Sequence, residues 1–479
     1  MIIINESLIR GIETMINEYD FAPVHVEWDE RHATLLRDFL NELSQKKIRY
    51  VILKNDDGLP FENHSKDVDI VIEPGSYDNA AKVIRDCYKR HGITYYKIHK
   101  FERLRCWYGM NLDTHFAIHI DLLEGFLHKG FEMLPFETLY EHSFENNNGI
   151  RVQKELMGSV VLLLHCTICY HSIKEKYAKL IADSYLRQRE GFIDILKQIL
   201  GNKHASVMTR LLDAKNYKQI AQLGKRFSHV SKCRIFVRRP LFSIYNVMDF
   251  LWEKVCRVIF NMDRYNNLIS VHAPDGTGKT TFIQKLGNEL GFYYVCSPSD
   301  LLSIHHFRPC ILPNLGAVGE KTGVMKQDKD FTIPHRAKPV GFLSSFIRMT
   351  YYWLDYVIGM PFILRKDAQF DNITIFDRYI YDFLVDPYRT RIKLPYWIRK
   401  AFTKLVKQPK IVFVLDADAN TIYSRKQELC KEEINRQLME FRKLKHLGER
   451  VYILDASQTP PKIANDAIQI VIDKFTHKL

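Results

Sequence analysis

The sequence predicts an α/β protein in which a mostly helical region separates two regions of alternating strands and helices. Short apolar runs such as NITIFD (372–377), KIVFVLDA (410–417) and RVYILDA (450–456) are typical of strands in a parallel sheet, and helical patterns lie between them. A glycine-rich turn, GTGKTT (276–281), opens one of the helical patterns. Because 479 residues exceed what one core usually holds, we expect several domains. The predicted parts are an α+β domain over 1–150, a helical region with a basic linker over 151–260, and an α/β domain over 261–479.

Composition indicates a soluble globular protein, since 46% of the residues are apolar and 26% are charged. The start of the chain lacks the basic, apolar and small-residue order of a signal peptide. The most apolar window, FIRMTYYWLDYVIGMPFIL (346–364), contains Arg348 and Asp355, which predicts a buried helix rather than a membrane span. Nine cysteines of irregular spacing do not suggest a disulfide framework. We therefore expect a reducing, cytoplasmic setting.

Part of the net charge of +13 is local, because eight bases and no acid lie between Asp213 and Asp249. Three interpretations are open: a solvated linker, a contact with a polyanion, and a contact with a membrane surface. The apolar run that follows, LFSIYNVMDFLWEKVCRVIF (241–260), favours the membrane over nucleic acid. A peripheral contact of 215–260 with the inner membrane face therefore stands beside a purely cytoplasmic location. The oligomeric state stays open.

The stretch VHAPDGTGKTT (271–281) has the composition of a loop that holds a polyphosphate. It follows the strand-like run NLISVH (267–272) and precedes a helical pattern. In such loops backbone N–H groups and the helix dipole bind the phosphates, a lysine neutralises the β and γ oxygens, and a hydroxyl holds magnesium. Ala273 stands where glycine usually begins the loop, so either its φ is ordinary or the loop is altered. The predicted ATP-binding residues are Ala273, Pro274, Gly276, Thr277, Gly278, Lys279, Thr280 and Thr281.

APDGTGKTT together with FDRYIYDFLVDPYR (376–389) resembles the thymidylate-kinase-like group of P-loop kinases over about 265–475. The resemblance implies a parallel five-stranded sheet, with ATP and Mg²⁺ as cofactors. It implies that Asp275 faces a hydroxyl of the acceptor. It also implies that Asp377 coordinates magnesium water near Thr280, and that Arg378 contacts an acceptor phosphate.

A lid is predicted over 423–444, after the strand at 410–417. Arginines on a mobile helix can close over the phosphates and stabilise charge on the transferred group, and Arg425 and Arg436 are the candidates. A surface helix held by side-chain pairs is the alternative.

The acceptor side departs from a compact thymidylate kinase, because the segments 305–324 and 331–339 are longer than such an enzyme needs. Arg308, His335 and Arg336 are the candidate acceptor contacts, and ordinary loop charge is the alternative. The departures point away from dTMP. A likeness to relatives associated with bacterial surface-polysaccharide pathways implies a small sugar- or nucleotide-like acceptor.

Three carboxylates in the first domain form a second candidate site. In DVDIVIEP (67–74) the acids Asp67 and Asp69 lie on one face of a strand, and Asp121 lies on the strand HIDLLEGF (119–126). Such a cluster can bind magnesium and a nucleoside triphosphate. An acid pair without metal and a module that only recognises substrate are the alternatives.

The surrounding sequence, YVILKNDDGLPFENHSKDVDIVI, resembles the nucleotidyltransferase superfamily over about 45–130. That superfamily usually carries a Gly-Ser pair that holds the triphosphate. Here Lys54 and Asn55 occupy the matching place, and they are the predicted nucleotide contacts.

Two functions are therefore open. The first is ATP-dependent phosphoryl transfer to a small molecule, with an N-terminal domain that binds substrate or transfers a nucleotide. The alternative is nucleotidyl transfer to RNA or protein, toxin- or defence-like, with the kinase-like domain as a regulator. A non-catalytic nucleotide-dependent binding protein ranks third, because intact Lys-Thr and Asp-Arg pairs argue against it.

Overall fold

A computed structural model describes residues 19–54, 58–99, 103–259, 267–313 and 341–476. The chain divides into two compact units. Of the described residues, those between 25 and 254 and 293–295 form the N-terminal unit, and 19–24, those between 255 and 292, and those between 296 and 476 form the C-terminal unit.

The N-terminal unit is built on a mixed seven-stranded sheet. Its strands are β1 (Tyr50–Ile52), β2 (Val68–Ile72), β3 (Thr94–His99), β4 (Leu104–Asn111), β5 (Phe116–Leu123), β8 (Ser143–Glu145) and β9 (Arg151–Gln153), while β6 (Phe126–His128) and β7 (Phe131–Leu134) form a separate ribbon. The order is β3-β4-β5-β2-β1-β9-β8. The pairs β2–β5 and β1–β9 are parallel, and the other pairs are antiparallel.

Both faces of this sheet are covered, which is why β2 is buried along its whole length. Val68, Ile70 and Ile72 belong to one hydrophobic core, whereas Val71 belongs to another. Because alternate side chains of a strand point to opposite faces, the two cores lie on opposite sides of the sheet. The helices of this unit are α1 (Glu30–Gln45), α2 (Tyr77–Arg90), α3 (Phe136–Glu141), α4 (Glu155–Leu164), α5 (Glu175–Arg187), α6 (Arg189–Asp213), α7 (Tyr217–Gln222), α8 (Gly224–Arg238) and α9 (Pro240–Lys254).

The basic stretch between residues 215 and 239 forms helices rather than the predicted linker. Asn216 caps α7 by accepting a hydrogen bond from the Gln219 N–H. Phe227 and Ser231 of α8 are buried in the unit. One face of α8 therefore packs into the unit, although the segment carries many charges.

The C-terminal unit is built on a five-stranded sheet in which every pair is parallel, as the sequence predicts. Its strands are β10 (Leu268–His272), β11 (Leu302–His306), β12 (Ile373–Asp377), β13 (Ile411–Asp416) and β14 (Val451–Asp455). They lie in the order β11-β12-β10-β13-β14. The helices are α10 (Lys279–Tyr293), α11 (Pro298–Leu301), α12 (Phe342–Phe370), α13 (Asp382–Val385), α14 (Tyr396–Lys404), α15 (Ala419–Arg425), α16 (Lys431–Lys443) and α17 (Pro460–Thr476).

Residues 19–24 pack with this unit, although the sequence places them in the first domain. The Ala22 N–H donates to Asn288 Oδ1 over 3.1 Å. Phe21 lies so close to Gly287 that a Cβ there would stand 2.5 Å from the ring. The start of the described chain therefore covers one side of α10.

The helix predicted to be buried, α12, is buried on one side only. Met349, Tyr356 and Ile363 lie in the core, whereas Phe346 and Ile347 are exposed. Among the helices of the described residues, none combines the length and the apolar character needed to cross a bilayer. All nine cysteines are free thiols.

Candidate active site

The predicted phosphate loop connects the end of β10 to the start of α10. Gly276 and Gly278 have φ values of +85° and +100°, a region that side chains with a Cβ rarely enter. Ala273 is fully buried, and its φ lies outside the left-handed region. The missing first glycine therefore costs the loop no backbone strain. Thr280 and Thr281 are exposed on the first turn of α10.

Lys279 lies folded over this loop. Its Nζ donates to the carbonyl oxygens of Ala273 over 3.2 Å and of Pro274 over 3.3 Å. Burial and the charge of Arg378 lower the pKa of Lys279 below its usual value, although Asp377 counters them. An ammonium group whose hydrogen bonds go to neutral carbonyls can exchange them for phosphate oxygens at small cost.

Three cations converge on Asp275, inside the loop. Arg378 and Arg389 each donate to its carboxylate, and Lys279 Nζ lies 3.5 Å from Oδ1. Burial raises the pKa of Asp275, but the positive charges of Arg378, Lys279 and Arg389 lower it much further. This carboxylate is therefore ionised at neutral pH, and it holds two guanidinium groups beside the loop.

Arg378 is fixed from the other side by Asp382, the first residue of α13. Its Nη1 donates to Asp382 Oδ2 over 2.8 Å, and the backbone N–H of Arg378 donates to the Val271 carbonyl over 2.9 Å. Asp382 Oδ1 lies 2.7 Å from His272 Nδ1, at the end of β10. Arg378 is buried and has a φ of +72°, which is unfavourable for a non-glycine residue. This ion-pair network offsets that strain and sets the position of the guanidinium.

Asp377 ends β12, and its backbone pairs with Val271 of β10. Its Oδ2 lies 3.4 Å from His306 Nδ1, while Oδ1 is buried without a hydrogen-bond partner. Burial raises the pKa of Asp377, but His306 and Lys279 lower it more, so the group is ionised. An ionised carboxylate with one free buried oxygen fits a divalent cation, and Thr280 offers a hydroxyl for it.

Arg425 lies against the loop, as a residue of the predicted lid would. Its guanidinium donates to the carbonyls of Thr277 and Ala456 over 3.3 to 3.4 Å. A Cβ on Gly276 would stand only 2.9 Å from the Cβ of the following residue, Lys426. The end of α15 therefore touches both the phosphate loop and the turn after β14.

Arg436 has other partners. It donates to Glu433 over 2.6 Å and to the Val385 carbonyl over 3.0 Å. Its helix, α16, is packed in the core by Leu438 and Phe441. The pair with Glu433 fits the alternative of a helix held by side-chain pairs, and the proposal below assigns Arg436 no contact with the phosphates.

Arg308 also has a structural partner. Its Nη1 lies 2.9 Å from Oδ2 of Asp355, which is fully buried. Asp355 accepts further hydrogen bonds from the N–H groups of Cys310 and Leu312. Arg308 therefore holds the chain after β11 against α12. The other predicted acceptor contacts, His335 and Arg336, lie outside the described residues.

The three acids of the N-terminal unit come together as predicted. Asp69 of β2 pairs with Asp121 of β5, and carboxylate oxygens of Asp67, Asp69 and Asp121 lie within 4.8 Å of one another. Lys54 Nζ lies 3.1 Å from Asp69 Oδ2. The predicted partner Asn55 lies outside the described residues.

Burial and the neighbouring Asp67 raise the pKa of Asp69 to about 7, although Lys54 opposes this shift. Crowded carboxylates repel one another, and a divalent cation relieves that repulsion. His119, which the sequence does not single out, donates toward Asp121 Oδ1 over 2.8 Å. The cluster therefore has the oxygen ligands that suit magnesium.

Three residues of the loop site are not among those that the sequence predicts: Arg389, Asp382 and His306. The first two lie within the stretch 376–389 that carries the family resemblance, and Asp382 follows Arg378 by one helical turn. That spacing could have suggested an ion pair. His306 ends the one strand of the sheet for which no apolar run is predicted.

Neither the comparison with protein-family models nor that with curated proteins found a match. Among solved structures, a thymidylate kinase from Ehrlichia chaffeensis is similar at 15% sequence identity and a TM-score of 0.30. The similarity covers 43% of this chain and 98% of that chain. A TM-score this low carries no weight for function, which we therefore infer from the geometry of the two sites.

Proposed function

We propose that the C-terminal unit is an Mg-ATP-dependent phosphotransferase that acts on a small sugar- or nucleotide-like acceptor. The observation that carries this proposal is the convergence of Lys279, Arg378 and Arg389 on Asp275, beside the glycine loop. In open parallel sheets, ligands bind beyond the carboxyl ends of the strands, where this group lies. Phosphate oxygens can compete for the same three cations.

The loop would hold the ATP phosphates through its backbone N–H groups and the start of α10. Lys279 would leave the carbonyls of Ala273 and Pro274 for the β and γ oxygens. Arg425 would contact the phosphates from the end of α15. The protein does little covalent work in such a transfer, because positioning and charge stabilisation lower the barrier.

Asp377 and Thr280 would hold the magnesium ion. A bound Mg²⁺ neutralises charge on the transferred phosphoryl group. Arg378 and Arg389 would bind the anionic part of the acceptor, and Asp275 would keep both of them oriented and accept a hydrogen bond from an acceptor hydroxyl. The fixed network behind Arg378 keeps these groups in place before substrate binds.

The test is transfer of label from γ-³²P-ATP to a panel of sugars, nucleosides, nucleotides and their phosphates. We expect label on a small acceptor, and we expect Lys279→Ala to reduce it at least about a hundredfold, since the lysine stabilises transition-state charge. The matched control is Lys285→Ala, which removes an exposed lysine from the same helix. Equal label transfer by the Lys279→Ala and control proteins would disprove the proposal.

A second function, nucleotidyl transfer by the N-terminal unit, is favoured by one observation: the carboxylates of Asp67, Asp69 and Asp121 lie together, with Lys54 beside them. The three carboxylates would hold magnesium. Because the cation would then replace Lys54 as the partner of Asp69, the lysine would be able to contact a triphosphate. The test is transfer of label from α-³²P-nucleotides to RNA, protein or sugar phosphates. Such transfer should disappear in Asp69→Asn and persist in Lys279→Ala. Transfer that survives Asp69→Asn would exclude this site.

A further inference from the structure

Helix α9 has its apolar side chains on the outside. Leu241, Tyr245, Met248 and Trp252 recur at the spacing of one helix face, and 61 to 81% of each is exposed. Ile244 and Leu251 are also exposed and widen the same face. On an ordinary surface helix a stripe with this spacing faces the core.

The buried face of α9 is the polar one. Ser243, Asn246 and Glu253 are each less than 8% exposed. Gly130, in the turn between β6 and β7, lies against the helix backbone, and a Cβ there would stand 2.7 Å from Val247 Cα. This close approach fixes the rotation of α9 about its axis. The outward apolar face is therefore set by packing within the N-terminal unit.

Basic side chains lie at both ends of the apolar face and over one of its rings. Arg238 precedes α9 and Lys254 ends it, and both are exposed. The Arg103 guanidinium lies over the ring of Tyr245, 5.5 Å from its centroid. Asp249 is an exposed acid at the edge of this face, against these three bases, and the sequence holds no acid from 214 to 248. The charge around this face is therefore complementary to an anionic partner.

We propose that α9 docks the protein on the surface of an anionic membrane. Its apolar stripe would enter the boundary between headgroups and acyl chains, where tyrosine and tryptophan are favoured. The flanking arginine and lysine side chains would contact lipid phosphates. With 15 residues α9 is too short to span a bilayer, so it would lie in the plane of the interface. This proposal does not depend on the proposed phosphotransferase activity.

The test is flotation of the full chain with vesicles of phosphatidylcholine alone and of phosphatidylcholine with about one third phosphatidylglycerol, a composition that gives a negative surface potential. We expect binding to the anionic vesicles only. The variant Leu241→Ser/Met248→Ser/Trp252→Ser should lower the partition coefficient at least about tenfold, because it removes the buried apolar area. Arg238→Glu/Lys254→Glu should lower it by a similar factor.

The matched control is Leu186→Ser on α5, because Leu186 is 65% exposed and lies outside α9. It should bind like the native chain. Circular dichroism and thermal melting show whether each variant is folded. Tryptophan emission should shift to shorter wavelength on anionic vesicles, and Trp252→Phe should lose that shift.

Three outcomes would overturn the proposal. The first is that the native chain fails to float with anionic vesicles, and the second is that the triple serine variant floats as well as the control. Alternatively, the native chain sediments as a dimer without lipid and the triple variant as a monomer, which would show that a second copy of the chain covers this face.

Discussion

At the residue scale, the loop site is held by pairing of buried charges. Arg378 is nearly inaccessible to solvent, and it would be unstable there without Asp275 and Asp382. The same pairing keeps Asp275 ionised. Under the proposed function each of these side chains has a structural role and a binding role, and a paired measurement of stability and activity separates the two.

Asp275→Asn should destabilise the C-terminal unit, because it leaves Arg378, Arg389 and Lys279 without their shared carboxylate. Loss of one partner of a buried ion pair costs about 3 kcal/mol in the free energy of unfolding. Chemical denaturation monitored by circular dichroism measures it. The control is Asp466→Asn on the exposed side of α17. A variant as stable as this control would show that the three cations do not need Asp275.

Asp367 should make the stability of the C-terminal unit depend on pH. Burial raises its pKa to about 6 from the ordinary 3.8, although Thr374 donates to its Oδ2 over 2.6 Å. Because the folded pKa is the higher one, the folded state binds more protons between these values, and the contribution of Asp367 to stability falls as pH rises from 3.8 to about 6.

Asp367→Asn removes this titration and keeps a side chain that can accept from Thr374. Relative to the native chain, the variant should therefore gain up to about 3 kcal/mol in the free energy of unfolding between pH 4 and 7. Denaturation curves across that range measure the difference. A difference that is constant with pH would contradict the account.

At the scale of elements, the site depends on how closely α15 approaches the phosphate loop. Gly276 has no room for a Cβ, because Lys426 and the Ile422 carbonyl lie against it. The loop and the end of α15 therefore form one continuous surface. Arg425 extends from that surface toward the place where we expect ATP.

Gly276→Ala should weaken ATP binding at least about tenfold, because it combines a positive φ with a clash against α15. Isothermal titration with a non-hydrolysable ATP analogue measures the affinity. The control is Gly448→Ala, since Gly448 has a φ of +101° and nothing within 4 Å of its missing Cβ. That control should cost about 1 kcal/mol of stability and leave the affinity unchanged. If the two variants bind the ATP analogue with equal affinity, the close contact between the phosphate loop and α15 is not needed for ATP binding.

Elements with a continuous apolar run could be predicted from the sequence, and the others could not. β10, β12, β13 and β14 all have such runs. The sequence of β11 is LSIHH, and its two histidines interrupt the apolar run that would predict a strand. In the structure His305 is buried and stacks on Phe376. The outward face of α9 could not be predicted either. Periodicity predicts that its apolar residues form a stripe, but it does not tell whether that stripe faces the core or the solvent.

Residue roles show a similar division. The glycine loop and Lys279 follow from a local motif, the three acids follow from strand geometry, and Asp377 follows from the family resemblance. The structure gathers the loop residues with Asp377 in the C-terminal unit, and it gathers the three acids in the N-terminal unit. The roles of Arg308 and Arg436 depend on partners 47 residues away and 51 residues away in the chain, namely Asp355 and the Val385 carbonyl. Spacing in one sequence does not reveal such long-range pairs.

At the scale of the whole molecule, the chain contains two units, and each has its own candidate site for a nucleotide and magnesium. At the loop site an acceptor oxygen would attack the γ-phosphorus of ATP and release ADP. At the acid cluster an acceptor oxygen would attack the α-phosphorus of a nucleoside triphosphate and release pyrophosphate. These reactions leave different parts of the nucleotide on the product. Labels at the two positions therefore report on the two units separately.

The most direct test of the central claim is one reaction set with γ-³²P-ATP and α-³²P-ATP, run with the native chain, Lys279→Ala and Asp67→Asn/Asp69→Asn. The account predicts that γ label reaches a small acceptor, that Lys279→Ala abolishes this transfer, and that the aspartate variant retains it. If γ-label transfer survives Lys279→Ala, or if only α label is transferred and only the aspartates are required, the C-terminal unit is not the phosphotransferase proposed here.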